Sequence, residues 1–224
     1  MKKIKVLTLG LCLGMIVAGC NNTQKGAVIG TGGGALLGAI VGKIAGNTAV
    51  GATVGAAVGA GTGAIIGNRM DKVKKQAEAV QNAQVQEVKD ANGLDAVKVT
   101  FDSGILFATN KADLNASAKS SLASFAKVLN TNRDCDVAIY GHTDNTGNDG
   151  INQPLSVNRA QSVSNYLKSC GVSATQIKTV EGQGSSNPVA DNATAAGRSQ
   201  NRRVEVYMYA SKQMIEAAEK GTLQ

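Results

Sequence analysis

Hydrophobic and polar residues follow two different periods along the C-terminal half of this chain. Four segments have the two-residue period of half-buried strands: residues 97–101, 137–140, 177–181 and 203–209. Interspersed with them, residues 114–129 and 156–170 carry apolar side chains at helical spacing. Ser156 is the expected N-cap of the second helix, and Gly171 is its expected stop. The alternation predicts an α/β sandwich over residues 93–210, with one mixed sheet and helices on one face.

Glycine recurs at every fourth position over residues 26–67, with a single slip in the middle. On a helix this spacing lines one face with glycine. Each glycine costs roughly 1 kcal/mol relative to alanine, which close helix–helix approach in a membrane can offset. The segment resembles the glycine-zipper hairpin of small envelope lipoproteins, with its turn near Asn47 and Thr48. A flexible linker is the alternative, and the sequence leaves open whether the hairpin crosses a bilayer, lies on it or self-associates.

The segments on either side of the α/β domain are more polar. Residues 68–92 place Met70, Val73 and Val80 at rough helical spacing, which predicts an amphipathic connecting helix that acts as a spacer. A coiled-coil seam is the alternative, although the apolar stripe is short. Residues 211–224 are expected to form a short polar helix or a disordered tail.

The N-terminus has the pattern of an export signal over residues 1–19. Lys2, Lys3 and Lys5 precede a short apolar run that ends in the letters VAGC at Cys20, and this ending resembles a bacterial lipobox. Cleavage would leave Cys20 as an acylated N-terminus at the start of residues 20–25, and acyl chains contribute about 0.8 kcal/mol per buried CH₂. Asn21 favours the outer membrane, by resemblance to the sorting rules of enteric bacteria. The alternative is a plain signal peptide with a chance cysteine.

Charge and composition narrow the classes of partner. The formal net charge is +7, and loss of the three signal lysines leaves +4. This charge is mild, and there is no stripe of Lys and Arg with interleaved aromatics, so we expect no nucleic-acid partner. The chain has 27 glycines and no tryptophan, so much of it is unlike an ordinary globular core.

A polar loop between a strand and a helix carries the chemistry of the domain. The loop, residues 141–147 (GHTDNTG), places the carboxylate of Asp144 after a strand, and Arg159 falls on the expected first turn of the following helix. A fixed acceptor beside a fixed planar donor suits a zwitterion: Asp144 for an ammonium, and Arg159 with the helix N-terminus for a carboxylate. The alternative is an ordinary loop-to-helix salt bridge, which contributes little at a surface.

Several motifs occur here in the order found in one known family. They are GHTDNTG at residues 141–147, LS..RA..V..YL at 155–167, QG at 183–184 and GRSQNRRVE at 197–205. By these motifs the chain resembles the OmpA-like peptidoglycan-binding domain over roughly residues 95–210. The resemblance implies that Asp144 takes the ammonium and Arg159 the carboxylate of the diaminopimelate side chain in the peptidoglycan stem peptide.

The resemblance also implies supporting residues. Those expected to shape the pocket or hold its loop are Thr143, Asn152, Leu155 and, with a weaker motif, Asn110. For Arg198, Arg202 and Arg203 the expected role is either direct ligand contact, above all for Arg202, or salt bridges that hold the last strand. Residues 148–150 depart from the commonest family pattern, which leaves the shape of the loop open.

The favoured function is a non-catalytic lipoprotein that tethers the outer membrane to peptidoglycan, with its domain facing the periplasm. One alternative is a wall hydrolase; His142, the sole histidine, lacks a second catalytic or metal-binding partner in the sequence and is expected to be structural. The other alternative is a membrane-inserting oligomer formed by the zipper hairpin, with the domain only positioning it. We expect no cofactor and no metal, and the sequence leaves a homo-oligomer open.

Cys135 and Cys170 are predicted to form a disulfide. An exported protein meets oxidising conditions, and the expected topology places both cysteines at the end of the domain opposite the polar loop. Two free, partly buried thiols are the alternative.

Overall fold

A computed structural model describes residues 60–90, 92–108 and 110–223. The predicted signal segment, the lipidated Cys20 and residues 26–59 of the predicted hairpin lie outside these residues. In chain order the helices are α1 (Ala60–Glu78), α2 (Ser103–Leu106), α3 (Ala116–Thr131), α4 (Asp149–Ser169), α5 (Ala195–Asn201) and α6 (Lys212–Glu219). The strands are β1 (Ala83–Lys89), β2 (Asp95–Asp102), β3 (Cys135–Gly141), β4 (Ile177–Gly182) and β5 (Arg203–Ala210).

The strands form one mixed sheet in the order β1-β2-β5-β3-β4. Strands β1, β2, β5 and β3 pair antiparallel in turn, whereas β3 and β4 are parallel. Strand β5 lies at the centre, where Val206 is opposite Val99 of β2 and Ile139 of β3. The prediction of a mixed sheet with helices on one face is confirmed.

The main core lies between that face of the sheet and helices α1, α3, α4 and α6. Alternate residues of the strands point into it, as the period of two requires. Phe101 of β2 and Phe125 of α3 meet edge to face in this core, with ring centroids 5.6 Å apart. None of the described helices is long and apolar enough to span a bilayer.

The predicted connecting helix over residues 68–92 is wrong in both extent and role. Helix α1 ends at Glu78, and the next segment is strand β1, paired with β2 along its whole length from Ala83–Phe101 to Lys89–Asp95. Asn82 between them has a left-handed φ of 60°, which helical continuation forbids. Short apolar runs in this segment fit either period, and pairing with β2 decides between them.

Helix α1 is part of the domain core and not a solvated spacer. Its inner face, Ile66, Met70, Val73 and Ala77, is at most 1% exposed. Arg69 also donates from Nε and Nη2 to the carboxylate of Asp134, at 3.0 and 2.9 Å, which ties α1 to the start of β3. The last residues of the predicted zipper arm, up to Gly67, therefore lie in a helix that packs on this domain.

The C-terminal segment is also more ordered than expected. Ser211 caps α6, its hydroxyl accepting from the amide of Met214. Met214, Ile215 and Ala218 are buried in the same core as α1, so α6 is an amphipathic helix that closes the domain.

The predicted disulfide does not form, because Cys135 and Cys170 are free thiols. Cys135 opens β3 opposite Ala210 and is enclosed in the core, where burial raises the pKa of its thiol to about 12. Cys170 caps the end of α4, and its carbonyl accepts from Asn130 Nδ2 at 3.2 Å. A disulfide requires a narrow range of Cα separations and Cβ directions, which a shared end of the domain does not guarantee.

The opposite face of the sheet holds a buried cluster of charged groups around Glu205. Arg203 Nε and Tyr207 Oη each donate to its carboxylate at 2.7 Å, and Lys98 Nζ lies 3.9 Å from it. The fully buried His142, just after β3, places Nε2 3.6 Å from Glu205 Oε2, beyond hydrogen-bonding distance. Burial alone would raise the pKa of Glu205. His142, Arg203 and Lys98 together lower it by more, so Glu205 is ionised.

The packing of α1 predicts a large cost for truncating Met70. We expect Met70→Ala to lower the free energy of unfolding by about 2–4 kcal/mol, because it opens a cavity in the core. Denaturant unfolding measures this directly, with Lys75→Ala, on the exposed side of the same helix, as the matched control. Equal stability of the two variants would restore the spacer interpretation.

His142 predicts a pH dependence of stability. Burial, with the charges of Arg203 and Lys98, lowers the pKa of its imidazole below 6.5, although Glu205 raises it. The unfolded chain therefore takes up a proton near pH 6.5 that the folded chain refuses, so stability is lost as the pH falls below that value. We expect an imidazole NMR titration with a midpoint below 6.5.

Because the chain has one histidine, a single resonance of the untagged protein reports this titration without assignment. Glu205→Gln removes the carboxylate that raises the pKa of His142, so it should lower the midpoint further. A midpoint at or above 6.5 in the wild type would show that the attraction of Glu205 outweighs burial.

Candidate functional site

The site is built where α4 crosses the ends of the two parallel strands. A Cβ on Gly141 would lie 2.1 Å from the carbonyl oxygen of Ser156, and a Cβ on Gly182 would lie 2.3 Å from Ser156 Oγ. Only glycine permits this approach of helix to strand. The Ser156 hydroxyl then accepts from the amide of Gly184 at 3.0 Å, which joins α4 to the loop after β4.

Helix α4 begins earlier than the sequence predicts. Its N-cap is Asn148, whose side chain accepts from the amide of Ile151, so the prediction that Ser156 is the N-cap is wrong. Arg159 consequently lies in the third turn and not the first, away from the helix N-terminus. Pro154 lies inside α4, where proline is usually unfavourable because its ring clashes with the carbonyl four residues before it. Here that carbonyl belongs to Gly150, and the helical residues before the proline are 149–153.

Asp144 follows β3, and three contacts hold it and the preceding Thr143 in place. The amide of Thr143 donates to Gly184 O at 2.9 Å, and the amide of Thr146 donates to Asp144 Oδ1 at 2.9 Å. Arg202 Nη1 donates to Asp144 Oδ2 at 2.5 Å. Burial raises the pKa of this carboxyl, but the hydrogen bonds from Arg202 and Thr146 together lower it more, so it is ionised at neutral pH.

Arg159 is buried without a carboxylate partner. The residue is 3% exposed, its Nε donates to the carbonyl of Lys111 at 3.1 Å, and its guanidinium carbon lies 5.2 Å from the centroid of the Phe107 ring. Its Nη1 is buried and has no hydrogen-bond partner among the described residues. Burial and then Arg202 lower the pKa of the guanidinium, while Asp144 raises it.

Asp144 and Arg159 are neighbours without forming an ion pair. Asp144 raises the pKa of Arg159, so the two charges are close enough to interact. The ion pair of Asp144 in the described chain is nevertheless with Arg202. The simple loop-to-helix salt bridge between Asp144 and Arg159 is therefore not present.

The other predicted pocket residues lie around this pair with differing roles. Asn152 is buried, and its Nδ2 donates to Thr146 O at 3.1 Å, which holds the loop. Thr143 is buried, and its hydroxyl has no partner among the described residues. Leu155 is partly exposed on α4, and Asn110 is exposed with a left-handed φ of 55°, next to the Lys111 carbonyl that binds Arg159.

The three motif arginines separate into three environments. Arg198 donates from Nη1 to the carbonyls of Asn192 and Ala193, at 2.9 and 3.2 Å. Arg203 belongs to the charged cluster on the sheet. Arg202 alone reaches the site, through its ion pair with Asp144.

Sequence reasoning missed residues that connect the loops. Asn201 is fully buried and joins the loop before α5 through Val189, Ala190 and Asn192. Asn192 Oδ1 in turn accepts from the amide of Asn145, beside Asp144, at 3.3 Å. Asn201 is the asparagine of the NRR motif, and its place in that motif was the signal that could have found it. Nothing in the sequence pattern pointed to Phe107 or to the carbonyl of Lys111.

The arrangement suits binding of a charged small group. A buried, unpaired planar donor matches a carboxylate, and an ionised acceptor beside it matches an ammonium. No group of three or more His, Cys, Asp and Glu side chains that could hold a metal ion occurs in residues 60–90, 92–108 and 110–223.

Comparison with known proteins shows two families to which parts of this chain are similar. Residues 106–202 match the OmpA family, and residues 1–71 match the YMGG-like Gly-zipper. The peptidoglycan-binding protein ArfA of Mycobacterium tuberculosis is 44% identical over 111 residues, 50% of this chain and 34% of ArfA. The outer-membrane lipoprotein YfiB of Pseudomonas aeruginosa is 44% identical over 106 residues, 47% of this chain and 62% of YfiB.

A solved structure gives the same fold. The cell wall anchor of the T6SS from Pseudomonas aeruginosa superimposes with a TM-score of 0.53 and 29% identity, over 64% of this chain and 98% of that chain. The sequence relatives are matched over only part of their length, as the shares for ArfA and YfiB show. The chain is therefore similar to the OmpA family over residues 106–202 and to the YMGG-like Gly-zipper over residues 1–71.

Proposed function

We propose that this protein is a non-catalytic lipoprotein that binds peptidoglycan through the diaminopimelate side chain and tethers the outer membrane to the cell wall. The observation that carries the proposal is the buried guanidinium of Arg159, whose Nη1 has no partner among the described residues, beside the ionised carboxylate of Asp144. Unpaired buried charge is costly to stability. A binding function explains why such a group is retained.

The free end of diaminopimelate complements the two charges. It carries one ammonium and one carboxylate on a single carbon, and a guanidinium offers a carboxylate two parallel hydrogen bonds. Arg159 would take the carboxylate through Nη1, while its Nε remains on Lys111 O. Asp144 would take the ammonium, sharing its carboxylate with Arg202.

Selectivity follows from the same chemistry. Lysine at this position of the stem peptide has the ammonium but no distal carboxylate. Binding it would leave Arg159 buried and unpaired, which costs more than the loss of one hydrogen bond.

The relatives support the wall and the membrane as partners. ArfA is named a peptidoglycan-binding protein, YfiB an outer-membrane lipoprotein and the solved neighbour a cell wall anchor. Together with the lipobox at Cys20, they support a lipid-anchored protein in the outer membrane with its domain in the periplasm. Acylation of Cys20 and the tether itself are proposals.

A zipper-based function is the second candidate, favoured by the match of residues 1–71 to a Gly-zipper family. In that hypothesis the hairpin inserts or oligomerises, and the domain positions it. Two contacts argue against a long independent hairpin. Ile66 is fully buried in the domain core, and Gly67 lies against the side chain of Asp95. The end of the zipper segment is thus shared with the wall-binding domain.

Arg159→Gln and Asp144→Asn test the proposal. Each removes one charge with little change in shape, and each should weaken binding of the full-length protein to purified diaminopimelate-type peptidoglycan by at least about 30-fold. This estimate follows from the roughly 2 kcal/mol or more lost when one partner of a desolvated charge pair is removed. Sedimentation of the detergent-purified protein with wall fragments measures the binding.

The control variant is Arg133→Gln, an exposed arginine that precedes β3 at the end of the strand opposite the site. It loses the same charge as Arg159→Gln and should bind like the wild type. Lysine-type wall should bind the wild type weakly. Binding that survives both site substitutions would mean non-specific attraction, and absence of wild-type binding would move the function to the zipper segment.

A further inference from the structure

Arg202 has binding capacity that its contact with Asp144 does not use. It caps the end of α5 and donates from Nη1 to Asp144 Oδ2. Its side chain is 39% exposed, whereas that of Asp144 is 9% exposed. Among the described residues, its side chain has no other hydrogen-bond acceptor, so Nε and Nη2 are available beside Asp144.

The charges of the site do not balance. Arg159 and Arg202 contribute two positive charges against the one negative charge of Asp144, and Arg202 is close enough to lower the pKa of Arg159. The free end of diaminopimelate is a zwitterion and adds no net charge. One positive charge therefore remains uncompensated after the proposed clamp has formed, and it belongs to the more exposed arginine.

We propose that Arg202 binds a second carboxylate of the same peptide ligand, next to the diaminopimelate side chain. This inference rests on the proposed function, because it assumes that Arg159 and Asp144 hold the diaminopimelate end. The stem peptide offers two such groups. One is the α-carboxylate of its γ-linked glutamate, and the other is the carboxylate at its C-terminus.

The geometry of a guanidinium favours this role over simple support of Asp144. One edge can stay on Asp144 while the remaining donors meet a carboxylate, since the five N–H groups point in fixed directions in one plane. A purely supporting Arg202 would affect every ligand equally. A carboxylate-binding Arg202 makes affinity depend on whether a particular ligand group is acid or amide.

The experiment measures binding of synthetic stem peptides by calorimetry to the full-length protein in detergent. The parent peptide is L-Ala–γ-D-Glu–diaminopimelate–D-Ala, compared with one form amidated at the glutamate and one amidated at the C-terminal D-Ala. A fourth peptide with lysine in place of diaminopimelate tests the proposed function itself. The proteins are the wild type, Arg202→Gln, Arg202→Lys and the control Arg133→Gln.

We expect amidation of one of the two carboxylates to weaken wild-type binding about 3- to 10-fold, the range for a partly exposed charged hydrogen bond. The carboxylate whose amidation has this effect is the one that Arg202 binds. In Arg202→Gln, acid and amide should bind alike within about two-fold. Arg202→Lys should keep part of the preference because it keeps the charge, and Arg133→Gln should keep all of it.

The outcomes separate the two proposals. If the parent peptide binds better than the lysine peptide but the effect of amidation is equal in wild type and Arg202→Gln, the inference fails and the proposed function stands. If the parent and lysine peptides bind alike, the proposed function fails and the inference fails with it. Thermal unfolding confirms that each variant is folded before its binding is scored.

Discussion

The site depends on one contact, the approach of α4 to the ends of β3 and β4. Gly141 and Gly182 allow the backbone and hydroxyl of Ser156 to lie where a side chain would otherwise stand. With α4 seated there, Arg159 in its third turn lies against Phe107 and the carbonyl of Lys111, close enough to Asp144 for the two charges to interact. Any larger residue at either glycine would push the helix outward, and it would move the guanidinium relative to the carboxylate.

Around this contact the loops are tied to one another by polar groups and not by apolar packing. Asn152 holds the Asp144 loop from α4, and Asn192 holds it from the other side through Asn145. Asn201, fully buried, fixes the segment that contains Asn192. This network holds the loop that carries Asp144 in place, which would lower the ordering cost of binding the proposed ligand.

Sequence reasoning predicted four of the five strands, because their alternation of apolar and polar residues is a local signal. Strands such as β5 show a clear period of two, and Asp144 and Arg159 stand within specific motifs. It failed where tertiary contacts decide. Residues 83–89 fit a helical period, but pairing with β2 makes them a strand. Ser156 is a good N-cap residue, but Asn148 caps α4 two turns earlier. The ion pair of Arg202 with Asp144 was also not predicted, because the motif implied for that arginine either ligand contact or a salt bridge that holds the last strand.

That ion pair changes how binding should be understood. A free Asp144 would meet an ammonium with its full charge, but here the carboxylate is already shared with Arg202 and the amide of Thr146. In the proposed clamp the ammonium would therefore gain less than in a simple two-point clamp, and the unpaired Arg159 would contribute the larger part of the affinity. Recognition would then depend mainly on carboxylates, and the ammonium would add selectivity. This is consistent with an excess positive charge in a pocket that would face an anionic polymer.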